Sequence, residues 1–231
     1  QAINLAVDRQ GVTSQLFFGR HPAAVGPLSE GVWSRVDALE STLTRDLAKA
    51  RSTLDQAGWT PGADGIRARA GQRLQLVLAT FRNPWSQIAQ AMQSQLRDVG
   101  IDLQVQNMAR GPYLDFIRRG DHHLCASAGT SLDPDELRSR YHSANIGRSN
   151  FSGLKDSGLD ELLTLGASQT MGSPERRQTY ETIQRRLMEL LPFVSFMSQH
   201  RVEAMSARVH GLAMRPDALN AYPIGDVWLD A

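Results

Sequence analysis

The stretch 73–108 limits the fold more than any other part of the chain. RLQLVLATF at 73–81 is a nearly continuous apolar run of strand length. WSQIAQAMQSQLRDVG at 85–100 places Ile88, Ala89, Met92 and Leu96 on one helical face before Gly100 stops it, and IDLQVQNM at 101–108 alternates Ile101, Leu103 and Val105. A strand, a helix and a strand in this order predict a right-handed parallel crossover, and so an α/β fold with helices against a sheet. GPYLDFIRRG followed by HHLCASAG at 122–129 repeats the rhythm with a short helix and a third strand.

Helical spacing organises the flanks. Residues 1–18 read as an amphipathic helix with a break at Gly11, and 44–57 as a helix ended by Gly58. Further helices are expected at 134–142, 157–167 and 173–191, the last with Ser173 as cap, Pro174 at its first position and Pro192 as its stop. Residues 20–34, with prolines and glycines, read as a loop, and FVSFMSQHRVEAMSA after Pro192 as one or two more strands. Gln1 opens directly inside an apolar-periodic segment, so the chain is expected to be cut from a longer one.

Charge removes several classes of partner. Lys and Arg total 25 against 24 Asp and Glu, a formal net charge of +1 over 231 residues. Such a balance leaves no electrostatic footprint for nucleic acid or an anionic membrane. No apolar run reaches the roughly 18 residues that span a bilayer. The single cysteine, Cys125, lies in an apolar run and reads as a small buried hydrophobe with no internal disulfide.

Motifs for chemistry are missing from the sequence. The histidines lack zinc-like spacing, and His122 with His123 would point to opposite faces of a strand. Asp133 and Asp135 in DPDEL read as turn and cap residues and not as a cation loop. No nucleophile elbow, phosphate-binding loop or dinucleotide fingerprint occurs, so neither an enzyme nor a cofactor is expected. What stands out is position: TFRNPW after the first strand and AGTSLDPD after the third place polar and flexible residues at the carboxyl ends of parallel strands, where open α/β sheets bind ligands.

The blocks QAINLAVDRQGV, AKARSTLDQAGW, IAQAMQSQLRDVGIDLQVQ, YLDFIRRGDHHL, LDPDELRSRYHS, SNFSGLKDSGLDELL and RRQTYETIQRRLMELLPFVSF, in this order, resemble the family 5 extracytoplasmic solute-binding proteins of peptide- and nickel-type ABC importers. The resemblance implies a periplasmic-binding-protein-like, Venus-flytrap lobe with a mixed sheet flanked by helices. Residues 1–231 would form the second, C-terminal lobe of a two-lobe receptor, with the tail from about 205 returning toward a missing first lobe. Its implied partners are a peptide or similar small solute, the transmembrane permease subunits of an ABC transporter and that first lobe, in a monomer without nucleic acid. Its implied place is the periplasm, or a lipid anchor outside the cytoplasmic membrane. A sensor domain behind the helix-turn-helix of a cytoplasmic transcription regulator is the second reading, separated from the first by the sequence upstream.

For the site, the resemblance implies ligand contacts from Arg82, Asn83 and Trp85, with Arg82 meeting a ligand carboxylate, and from Gly129, Thr130, Ser131 and Asp133. Peptide-binding members carry an aspartate four residues before the proline of this loop to pair with the ligand amine. Here that position is Thr130. Either Asp133 replaces the carboxylate from a shifted loop, or the ligand is not a free-amine peptide.

Overall fold

The computed structural model describes residues 1–129, 131–200, 204–212 and 224–230. Helices α1 (Ala2–Ala6), α2 (Arg9–Phe17) and α3 (Leu47–Gln56) come first, followed by an antiparallel sheet of β1 (Thr60–Pro61), β2 (Arg67–Arg69) and β3 (Gln72–Arg73). The centre is β4 (Gln75–Thr80), α4 (Trp85–Arg97), β5 (Asp102–Asn107), α5 (Arg110–Arg119) and β6 (Leu124–Cys125). Three helices follow, α6 (Glu136–Tyr141), α7 (Ser157–Ser168) and α8 (Pro174–Leu190), and an antiparallel pair, β7 (Val209–His210) and β8 (Trp228–Leu229), ends the described chain.

The crossover is present as expected. The central sheet has the order β5-β4-β6 and is parallel throughout, running from Gln75 opposite Asp102 to Thr80 opposite Asn107 on one side and pairing Ala79 with Cys125 on the other. Parallel and antiparallel pairing are therefore mixed across separate sheets and not within the central one. The apolar stripe of α4 explains the packing: Ile88, Ala89, Met92 and Leu96 are buried against Leu78, Ile101 and Leu103, together with Leu5 and Ala6 of α1 and Ala50 of α3. A second core joins α6, α7 and α8 through Leu137, Leu159, Leu163, Tyr180, Ile183 and Leu187, and takes in Leu28 and Val32 of the early loop.

Two sequence expectations are corrected. The first helix breaks at Val7 and Asp8, before Gly11, because the Asp8 carboxylate accepts the Gly11 N–H at 2.9 Å and starts a new helix there. Gly11 sits inside α2, where a side chain would collide with that carboxylate. The residues after Pro192 form no regular strand up to Gln199; they run extended and join the early loop by one isolated bridge, Ala23 to Met197. A chain segment needs a neighbour in register to become a strand, and residues 22–24 offer partners only to Phe196 and Ser198 around that bridge.

Buried polar groups tie the two ends of the fold together. Asn4 is 3% exposed and donates from Nδ2 to the Phe193 carbonyl at 3.0 Å. Arg9 donates from Nε to the Ser195 carbonyl at 2.7 Å and from Nη1 to the Asn4 carbonyl at 2.9 Å, and also reaches Asn4 Oδ1. Removing the amide takes a partner from both Phe193 and the Arg9 guanidinium in a site closed to water. Asn4→Ala should therefore lower unfolding free energy by about 1–3 kcal/mol, read as a reduced urea midpoint at unchanged slope.

Candidate functional site

A cavity of about 260 Å³ is lined by β6 with its flanking residues, His122 through Gly129, and by Ala24, residues 26–29 and residues 192–199. Trp85, Ile88, Ala89 and Met92 of α4 add an apolar side, and Glu136, Arg140 and Tyr141 of α6 add a polar one. Among the described residues β6 is an edge strand of the central sheet, paired with β4. The cavity is lined by this strand and by the residues that follow its carboxyl end, the place where open α/β sheets bind ligands.

Each wall has a local cause. His123 fixes the start of β6 by a reciprocal contact with Val77: its N–H donates to the Val77 carbonyl at 3.0 Å, and its Nδ1 accepts the Val77 N–H at 3.0 Å. Tyr113 of α5 holds the other end, donating its hydroxyl to the Ala126 carbonyl. Beyond that point the backbone passes directly under α6. A Cβ on Gly129 would lie 2.7 Å from Glu136 Oε1, so a side chain there would push the Glu136 carboxylate aside.

The charged pair at the cavity is Glu136 and Arg140, one turn apart on α6, with Nε 3.9 Å from Oε2. Burial pushes the Tyr141 phenol up to about 12 and the Cys125 thiol up to about 11, and Arg140 opposes both shifts. The raised value holds the Cys125 thiol protonated, and among the described residues no group of three or more His, Cys, Asp or Glu could hold a metal ion. The arrangement can enclose a small solute between apolar walls and one ion pair.

The structure brings together some of the residues that the sequence singled out and separates others. Trp85 and Gly129 line the cavity. Arg82 and Asn83 are exposed and lie outside it: the Arg82 guanidinium stacks 5.2 Å from the centre of the Phe81 ring, and Asn83 Oδ1 accepts from the Ser86 hydroxyl. Ser131 accepts the Asp133 N–H at 3.0 Å, which shapes the turn. Thr130 lies outside the described residues.

Asp133 is engaged elsewhere. Its Oδ1 accepts from Arg176 Nη2 at 2.9 Å and also from the Asp135 N–H at 2.8 Å, and it does not line the cavity. The guanidinium it meets is 5% exposed and donates from Nε to the Gly166 carbonyl at 3.0 Å. Asp135 is likewise structural: burial raises its carboxyl, but Arg138 and the Tyr180 hydroxyl outweigh that and leave it below the usual range. Sequence reading missed Glu136, Arg140 and His122. The i, i+4 spacing of Glu136 and Arg140 directly after the strand-end loop is the signal that points to the first two.

Comparison with known proteins gives a consistent picture. The profile described as bacterial extracellular solute-binding proteins, family 5, middle, matches residues 1–149. A dipeptide-binding protein of Pseudomonas aeruginosa is 25% identical over 229 residues, covering 96% of this chain and 41% of that protein. Protein XP55 of Streptomyces lividans is 32% identical over 196 residues, covering 81% of this chain and 35% of that protein. Among solved structures, the oligopeptide-binding protein AppA of Bacillus subtilis, in complex with a nonapeptide, superposes with a TM-score of 0.87 at 24% identity over all of this chain and 47% of its own. This likeness shows the periplasmic-binding-protein fold. The chain spans about two fifths of the length of the curated relatives it matches.

The Cys125 environment gives a direct check on the packing of this wall. With its thiol near 11, Cys125 in the folded protein at pH 8 should react with iodoacetamide at least about 100-fold more slowly than in urea. Mass spectrometry of timed, quenched samples reads both rates.

Proposed function

The chain belongs to the bacterial extracellular solute-binding proteins of family 5, and from that premise we propose that it forms the second lobe of a two-lobe receptor serving an ABC importer. The receptor encloses a peptide or similar small solute between its lobes and hands it to the permease. It works outside the cytoplasmic membrane, in the periplasm or on a lipid anchor. Binding and release are its activity, and no bond is made or broken.

The observation that carries this reading is the cavity at the end of β6. Its walls combine a strand's carboxyl end, the first turns of α4 with Trp85, and two extended segments joined at the Ala23 to Met197 bridge. The apolar side supplies desolvation and the few polar groups supply orientation, which is the usual division of labour in a small-molecule site. The relatives' names point the same way: one is a dipeptide-binding protein, and the superposed structure holds a nonapeptide.

In such a receptor closure follows from differential contact. A ligand bound to one lobe favours the closed state only if the other lobe adds contacts that the open state lacks. Arg82 and Asn83, exposed at the end of β4, are available for such closed-state contacts, as is Ser131. The direct consequence concerns affinity. Residues 1–231 expressed alone should bind a peptide ligand at least about tenfold more weakly than the intact protein, measured by calorimetry. Equal affinity would place the whole binding site in this lobe and remove the two-lobe account.

A further inference from the structure

Three apolar clusters pack the described residues, and the cavity lies where they meet. Leu78, Ile88 and Met92 of the cluster around α4, Leu28 and Tyr141 of the cluster around α8, and Phe151 beside the cluster of α5 all line it. Protein interiors are otherwise filled to the density of organic crystals, so a gap between cores leaves these side chains without packing partners on one side.

Helix α4 makes one part of this gap apolar. Ile88 and Met92, one turn apart, are each 5% exposed, and the half-buried Trp85 continues the same row one turn earlier. On the segment after α8 the Ser195 hydroxyl is already engaged, donating to the Gly26 carbonyl at 2.7 Å. The charged side chains that line the cavity, Glu136 and Arg140, both belong to α6 and pair with each other at 3.9 Å. Volume limits what can enter. An apolar cavity of about 150 Å³ takes up benzene. The 260 Å³ here has room for one branched or aromatic side chain and not for a run of residues.

We infer that this cavity is a subsite for one uncharged, apolar side chain of the ligand, held by Trp85, Ile88 and Met92, and that the ligand completes the packing between the three clusters. A polar side chain of the same shape would give up its hydrogen bonds to water and find no partner along the α4 row. An apolar one gives up none and gains dispersion contacts with the side chains that the gap leaves bare. The inference rests on the binding-receptor reading above and adds the class of ligand residue that the receptor selects.

The test is calorimetry of the intact protein with the dipeptides Leu-Leu and Asn-Asn, whose side chains share a branched shape and differ in polarity. The wild type should bind Leu-Leu at least about tenfold more tightly, and with a more negative heat-capacity change, the mark of apolar burial. Met92→Gln puts an amide of similar length into the α4 row and should reduce the preference to about threefold or less, with the two heat-capacity changes drawn together. Trp85→Ala takes away part of the same wall and should act likewise; it carries the test if thermal melting shows Met92→Gln to be unfolded. Equal binding of the two dipeptides by the wild type, or a preference that survives in the folded variants, would overturn the subsite and leave the receptor reading standing. Binding of neither dipeptide by the wild type would overturn both.

Discussion

A guanidinium that is 5% exposed cannot be left without a countercharge, and the loop at the end of β6 is arranged around that requirement. Arg176 sits in the first turn of α8, donates to the end of α7 at Gly166, and takes Asp133 as its anion. Trp33 lies within 5.8 Å of the same guanidinium, and the Tyr180 ring within 5.3 Å. One side chain therefore joins the early loop, α7, α8 and the segment leading into α6. Once Asp133 is pinned there, Pro134 and Asp135 follow, α6 starts at Glu136, and the helix projects Glu136 and Arg140 back over Gly129.

The same chain of causes explains why two neighbouring aspartates have no part in the cavity while a glutamate one residue further on does. Asp133 and Asp135 face α8, where Arg176 and Tyr180 satisfy them. Glu136 lies on the next helical position, about 100° round the axis, and so faces the strand. Helix α7 packs closely on α8 at Gly166, where a Cβ would lie 3.0 Å from the Tyr180 ring and would press on it. A buried arginine that does not line the cavity thus helps to determine which carboxylate faces it.

The fold was legible in the sequence wherever one period dominated. Leu76, Leu78, Ile88, Met92, Leu96 and Leu103 announce the crossover through their spacing alone, and Ser173 with Pro174 marks the start of α8, where the Ser173 hydroxyl accepts the Arg176 N–H. It was less legible where a single long-range partner decides. The early break after α1 depends on a cap by Asp8, and the apolar run after Pro192 becomes an irregular wall because it meets its partner at one bridge only. The site was legible as a place, the strand ends carrying Trp85 and Gly129, but not as a set of side chains. Asp133 and Asp135 look alike in the sequence as exposed turn carboxylates, and only the position of Arg176, Arg138 and Tyr180 in space separates their roles from that of Glu136.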